Sequence, residues 1–464
     1  MNTLYKFIAL VLTGASLSSC NSFLDRQPLA QVTTDSYFNS ETNANAAVTG
    51  MYRTMTTSFG WGQTVITLPE FSARHIAHIS SFPEYENFAT HNVTVINPWT
   101  SNVWNSLYGT INAANNVISR VPNITEDAIS AEKRNQFIGE GKFIRALSYF
   151  FLVRAFGRVP LKLTATTEDE DQSIPQSEPQ AVYEQIVLDL TEAAEALPEA
   201  HANTEATKGR ATKAAAQALL AKVYLYQAKY TNDYARAAAA AKLIIDSDAF
   251  QLVTDYGSIW RSENTAESIF ELQFDNQTTN PLASVSNNNP SMLFYVRDTT
   301  LGQLFDSLDI RRSFSVVPGT RVSSSGDTTF LDFMGKFPNF NPASQNLPII
   351  RLAELYLIHA EAEARASGAV TASAFASLNA VLTRARSVSR DMSEFTSVDG
   401  FVRFVQEEKE REMLFEGETW FDFCRTGLAL EKYSTLTSEQ FFVYPIPAAQ
   451  LSLNGGLVQN PGYN

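Results

Sequence analysis

The chain has 464 residues, 44% hydrophobic and 18% charged, which is enough apolar content to bury a large core and excludes an intrinsically disordered chain. Its 35 lysines and arginines face 49 aspartates and glutamates, a formal net charge of −14; that balance argues against nucleic acid as a partner, because such surfaces draw affinity from clustered positive charge. Two cysteines exclude a disulfide-stapled scaffold.

The first nineteen residues form an export signal: a short n-region with Lys6, an apolar stretch from Phe7 to about Leu12, and the small-residue tail Leu17-Ser18-Ser19 before Cys20. The apolar stretch is far shorter than the roughly 20 residues that span a bilayer, and no later segment reaches that length. Leu17-Ser18-Ser19-Cys20 resembles a bacterial lipobox, in which the cysteine becomes the acylated amino terminus. Several acyl chains together anchor a protein stably, so membrane attachment through Cys20 is expected. Lipid on Cys20 leaves Cys424 without an intrachain partner, a buried inert thiol in an aromatic stretch. Residues 20–40 read as a tether and N-terminal segment of a single domain spanning 20–464.

Helices dominate the mature chain, within about 41–260 and 347–464. Apolar and alanine residues at i, i+3, i+4 and i+7 spacing predict Asn135–Phe156 paired with Gln180–Leu197. A helical hairpin is predicted over Lys213–Lys229 and Tyr234–Asp246, with Ala218, Ala221, Ala228, Ala235 and Ala239 allowing close approach. A further pair is predicted over Pro348–Ala366 and Thr371–Arg386. The alternation of large aromatics and alanines resembles tetratricopeptide units without their strict 34-residue period. The fold class is therefore mostly α, a right-handed scaffold of degenerate tetratricopeptide-like helical pairs.

Two stretches differ in texture, about Phe59–Thr100 and Asp275–Asn346, rich in Asn, Ser, Thr, Pro, Gly and aromatics. Loops of such length inside a compact domain are commonly binding or lid elements.

Signals for catalysis are thin. His75 and His78 are spaced i,i+3 without the glutamate and geometry of a zinc-protease helix, and no metal site is expected. There is no phosphate-binding P-loop and no Gly-x-Ser-x-Gly elbow, and Gly60-Trp61-Gly62 lacks the third glycine of a dinucleotide fingerprint. No cofactor is expected. Glu168-Asp169-Glu170-Asp171 reads as a solvated loop, and Glu407 to Glu412 as a charged helix face on which Glu410 and Arg411 could anchor neighbouring elements.

Aromatic residues on the polar loops carry the functional reading. Trp61, Phe82, Tyr85 and Trp99 fall in the first loop, Phe294 and Tyr295 in the second, with Arg74, Asn87, Asn97, Asn289 and Arg297 nearby. A sugar ring offers an apolar face and polar edges, matched by an aromatic plate with amide and guanidinium donors. The expected ligand-binding residues are Trp61, Arg74, Tyr85, Trp99, Phe294, Tyr295 and Arg297.

Ordered motifs run along nearly the whole mature chain. They are Cys20 with Phe23-Leu24-Asp25 and Pro28; Phe143 to Phe150 leading to Ala155-Phe156-Gly157-Arg158-Val159-Pro160-Leu161; and Pro348 to Tyr356 with Ala360-Glu361-Ala362. Towards the C-terminus come Glu410-Arg411-Glu412, Phe415-Glu416-Gly417, Trp420-Phe421-Asp422, Arg425-Thr426-Gly427, Tyr444-Pro445-Ile446-Pro447 and Gln459 to Tyr463. Through these the chain resembles the SusD/RagB family of surface lipoproteins of Bacteroidetes. The resemblance implies four tetratricopeptide-like helix pairs with ligand loops on one face and no enzymatic activity. It also implies a role as lid on a SusC-like, TonB-dependent outer-membrane transporter that receives the captured oligosaccharide. Peptide or glycoprotein ligands, or a purely scaffolding lid, are the alternatives it leaves.

Overall fold

The computed structural model describes residues 37–79, 82–167, 173–287, 291–297, 301, 304–323, 325–338 and 341–463. The signal segment, Cys20, the tether to residue 36, the Glu168–Asp171 run and Asn289 lie outside them. Helices of eight or more residues are α1 (Glu41–Met55), α2 (Thr64–Ser72), α3 (Pro98–Arg120), α4 (Ala131–Phe156), α5 (Pro179–Ala196), α6 (Lys213–Thr231), α7 (Tyr234–Ile245), α8 (Leu352–Ser367), α9 (Ala372–Ala385), α10 (Val398–Glu412) and α11 (Thr419–Thr426). Among the described residues strands come in four short antiparallel pairs: β1 (Ile76–His78) with β5 (Phe294–Val296), β2 (Val159–Pro160) with β3 (Gln176–Ser177), β4 (Ser268–Leu272) with β8 (Leu347–Arg351), and β6 (Val316–Val322) with β7 (Thr328–Met334).

Successive helices pack side by side in the order α1, α3, α4, α5, α6, α7, α8, with α9 and α10 both on α8. α4 is the centre of this row. It starts at the Ser130 cap, whose side chain accepts from Lys133 N, and ends at Gly157 with φ +69°. Phe143, Ile144, Leu147, Tyr149, Phe150, Phe151 and Leu152 point to every side of α4 and all are buried, as a helix surrounded by protein requires. Small residues set the spacing of α6 against α7, but with a different face than the sequence suggested. Ala237, Ala238, Ala241 and Ile244 are buried while Ala235 and Ala239 are exposed, because the i, i+4, i+7 line through Ile244 carries the apolar stripe.

The predicted Pro348–Ala366 helix begins at Leu352 instead; Pro348 to Arg351 form β8 against β4. Pro348 disfavours a helical residue before it, and Ile349-Ile350 suit a pleated strand. The two loop-like stretches are also more ordered than their composition suggests. The first contains α2, β1 and two short helical turns, the second β5 and the β6/β7 hairpin.

The Glu407–Glu412 run is not a solvated face. Glu408, Lys409, Glu410 and Glu412 are buried, and the family-like motifs turn out to be one another's counter-ions. Arg351 donates to Glu267, Glu412 and Glu416, Arg384 to Glu267 and Glu412, and Arg311 to Asp309 and Glu412. A second set joins Lys222 and Lys409 to Glu354, Lys409 to Asp422, and Arg425 to Glu361 and Asp422. Although burial opposes the charge on Glu354, Lys222 and Lys409 hold its carboxyl down at about 2. Such networks stitch α6, α8, α10 and α11 together, since leaving any one charge unpartnered in the interior costs several kcal/mol.

Candidate functional site

The first loop is pinned by a stack of aromatic rings. Trp99, in the first turn of α3, lies on Tyr85 at 4.2 Å and 17°, and Tyr85 lies on Phe71 at 4.8 Å and 20°. Phe294 of β5 closes the stack edge-on, 5.1 Å from Tyr85 and 5.4 Å from Phe71. Tyr85 and Phe294 are fully buried, so these two rings hold the loop to the scaffold and show no face to solvent. Trp61 is also inside, edge-on to Phe151 of α4 at 6.2 Å.

The outer end of the stack remains open. Trp99 is half-buried and flanked by two exposed rings, Phe82 at 6.0 Å and Phe59 at 6.4 Å. Sequence reasoning misses Phe59, whose one signal is an aromatic just after the polar turn that ends α1. On the neighbouring two-stranded sheet Tyr295 pairs with Ala77 and, by strand alternation, faces away from buried Phe294 and Val296. It is half-buried.

Most of the expected polar partners are already engaged. Buried Asn97 caps α3 by accepting from Trp99 N at 3.0 Å and donates to Glu84 O and to Asn87. Arg297 reaches across β1, donating to Ile76 O and forming a forked pair with Glu86 at 3.0 and 2.6 Å. Arg74 donates to Ala89 O at 3.1 Å and has no carboxylate within ion-pair distance among the described residues. It sits just after α2 at φ +60°, the left-handed conformation that commonly ends a helix and where glycine is the usual residue.

Behind Arg74 lies a cavity of about 190 Å³ lined by His75, Glu410, Lys432 and Tyr433, with Leu301 and Leu304. His75 lies between Glu70 at 2.7 Å and Glu410 at 3.4 Å. Burial alone would lower its pKa, but the two carboxylates outweigh burial and raise it to about 9. Glu70 also accepts from Gly417 N at 2.7 Å, and Lys432 donates to Glu410 at 2.6 Å. This cluster ties α2 to α10 and to the Phe415-Glu416-Gly417 turn. At Gly417, φ is +81° and an added Cβ would lie 3.0 Å from Ile66 Cα, which is why that position carries glycine.

The remaining sequence candidates do not assemble chemistry. Cys424 is buried in α11 and its thiol is pushed well up by burial. Among the described residues no group of three or more His, Cys, Asp or Glu side chains is arranged to hold a metal ion, and no helix is long and apolar enough to cross a membrane.

A family model described as starch-binding and associating with the outer membrane matches residues 22–225, and the SusD family model matches residues 332–463. SusD-like protein P2 of Formosa agariphila is 27% identical over 98% of this chain and 99% of its own length. The starch-binding protein SusD of Bacteroides thetaiotaomicron is 24% identical over 73% of this chain and 75% of its own. A solved laminarin-binding SusD-like protein superposes with a TM-score of 0.78 at 27% identity, covering 92% of this chain and all of its own. A SusD homolog from Bacteroides thetaiotaomicron gives 0.79 at 22% identity over 94% and 99% of the two chains, a likeness of fold. The mostly helical, tetratricopeptide-like scaffold is thus common to these structures, and with SusD models matching towards both ends and SusD folds superposing over most of its length, the chain belongs to the SusD family.

Proposed function

We propose that this protein is a cell-surface glycan-binding lipoprotein, anchored through lipid on Cys20, that captures an oligosaccharide and hands it unchanged to a SusC-like TonB-dependent transporter in the outer membrane. Family membership over most of the chain carries the reading. The likeness to a laminarin-binding relative at 27% identity favours a glycan over a peptide. The capture surface is the open end of the aromatic stack, Phe59, Trp99 and Phe82. Tyr85 and Phe294 support that surface from beneath, Arg297 braces the loop through Glu86, and Trp61 packs on α4 away from it.

Each ring contributes about 0.5–1.5 kcal/mol beyond burial. Two or three of them with hydrogen bonds give about 4–8 kcal/mol, a millimolar to micromolar binder, which suits capture followed by release. Calorimetric titration with neutral and acidic oligosaccharides tests the reading: saturable binding weakened by Phe82→Ala and Trp99→Ala supports it, and binding indifferent to both removes the surface from the capture role.

A further inference from the structure

A small cavity of about 180 Å³ opens where the ends of α4 and α6, the start of α5, α11 and the Glu439–Phe442 turn meet. Val153, Phe421, Phe442 and Val443 make its walls apolar, and tyrosine rings complete them. Beneath it lies part of the interior charge network. There the four buried cations Arg154, Lys222, Lys409 and Arg425 are matched by the four carboxylates Glu354, Glu361, Glu418 and Asp422. Half-buried Arg365 adds a further positive charge on Glu361, so the network has no carboxylate to spare for the cavity.

Three polar groups meet in this apolar space. Tyr183 is only 4% exposed, yet its hydroxyl is neither sealed in nor hydrogen-bonded among the described residues, and it opens on the cavity that the side chain lines. Arg154 is held between the rings of Phe150 at 4.0 Å and Phe421 at 4.4 Å; it donates to Glu418 through Nη1 at 2.7 Å and also lines the cavity. Lys229, exposed near the end of α6, lines it too and forms no ion pair among the described residues. Glu178 and Glu439 stand close enough to bear on Tyr230 and Cys424, but neither pairs with Lys229. Pro179 is at the cavity as well, so the positive end of α5, whose first amides have no side-chain cap, adds to the same field.

We infer that this cavity binds a small organic monocarboxylate, with Lys229, Arg154 and the Tyr183 hydroxyl on the carboxylate and Phe421, Phe442 and Val443 against its apolar body. An ammonium, a guanidinium and a phenol all donate to a carboxylate, and the charged donors give the stronger hydrogen bonds. One unmatched ammonium calls for one negative charge, which disfavours sulfate and phosphate; those ions would also leave the apolar walls unfilled. A sugar ring would bring more hydroxyls than the walls can satisfy, and the cavity lies below the roughly 300–1,000 Å³ of ordinary ligand pockets. A bound acid would join α4, α5 and α6 at one point and stabilise the folded chain by mass action.

The inference stands apart from the glycan-binding reading, and its test uses no glycan. The mature chain carrying Cys20→Ser is titrated by calorimetry and thermal melting with benzoate, phenylacetate and isovalerate, and with benzamide and sulfate at matched ionic strength. At least one acid is expected to bind once per chain and raise the melting temperature, with benzamide and sulfate at least tenfold weaker. Tyr183→Phe removes an oxygen that bonds to nothing in the described protein, and Lys229→Gln removes an exposed, unpaired charge, so both variants should melt like the parent chain without ligand. Each should weaken the acid at least fivefold, and Val443→Trp, which fills the cavity, should abolish its binding. Three results overturn the inference: no binding of any of the acids at concentrations on the order of 10 mM, benzamide binding as well as benzoate, or acid binding indifferent to both Tyr183→Phe and Lys229→Gln.

Discussion

Replacing Arg351 by methionine removes the most heavily used cation in the interior. Its guanidinium donates to Glu416 at 2.8 and 2.7 Å, to Glu267 at 3.0 Å, to Glu412 and to the backbone carbonyl of Glu412 at 2.6 Å, and it is essentially unexposed. With Arg351 gone, five carboxylates, Glu267, Asp309, Glu408, Glu412 and Glu416, are left with four cations, Arg311, Lys336, Arg384 and Arg411, and negative charge exceeds its partners. Breaking a buried pair in this way costs about 3–5 kcal/mol, a large fraction of the roughly 5–15 kcal/mol typical of a folded protein. Urea unfolding followed by circular dichroism should show stability falling by that amount, through a lower midpoint with an unchanged slope. Arg351→Lys, which keeps the charge and loses the fork, should fall between the two. Acid should narrow the gap between Arg351→Met and wild type. A carboxylate whose folded pKa is raised above its unfolded value weakens the fold while ionised, and protonation relieves that cost as pH falls through the raised pKa. Burial already raises Glu267 against the pull of Arg384 and Arg351, so relief should begin above its ordinary range. A loss under about 1 kcal/mol, or a gap that widens on acidification, would refute the electrostatic account of this core.

His75 provides a pH test of the cluster behind Arg74. Its folded pKa of about 9 exceeds the ordinary 6.5, so its contribution is fully present below pH 6.5 and fades as pH rises through 9. The stability difference between wild type and His75→Gln should therefore be on the order of 3 kcal/mol at about pH 6 and shrink by about pH 10; a difference constant with pH contradicts the ion-pair arrangement. Trp61→Ala should lower thermal stability by about 3–5 kcal/mol while leaving glycan affinity within a factor of about two of wild type, measured on the folded fraction. Phe82→Ala should do the reverse, lowering affinity several-fold with a melting temperature near that of wild type. Gly417→Ala should destabilise by about 1–3 kcal/mol because φ +81° is strained for alanine.

Much of the scaffold is legible in the sequence because long helices advertise themselves through apolar periodicity. α4 to α7 and α9 lie within a few residues of their predicted bounds, and the motifs around Arg351, Glu361, Asp422 and Arg425 point to the family. What those motifs do was not legible: a run of alternating charges looks like a solvated face, and only three-dimensional packing shows Glu408, Lys409 and Glu412 paired inside. The candidate site was legible as a region and not residue by residue. Tyr85 and Phe294 carry the same local signals as Phe82 and Tyr295, an aromatic among polar neighbours, and which ring faces out depends on strand alternation and on the Phe71–Tyr85–Trp99 stack. Asn97 likewise looks like a sugar ligand and is a helix cap.

Glycan capture at the open end of that stack is the central claim, and a binding screen of the mature chain carrying Cys20→Ser against plant, algal and host polysaccharides and peptides tests it most directly. The expected result is saturable binding of at least one glycan, weakened by Phe82→Ala and Trp99→Ala. Silence across the glycans, or binding of peptides alone, contradicts it.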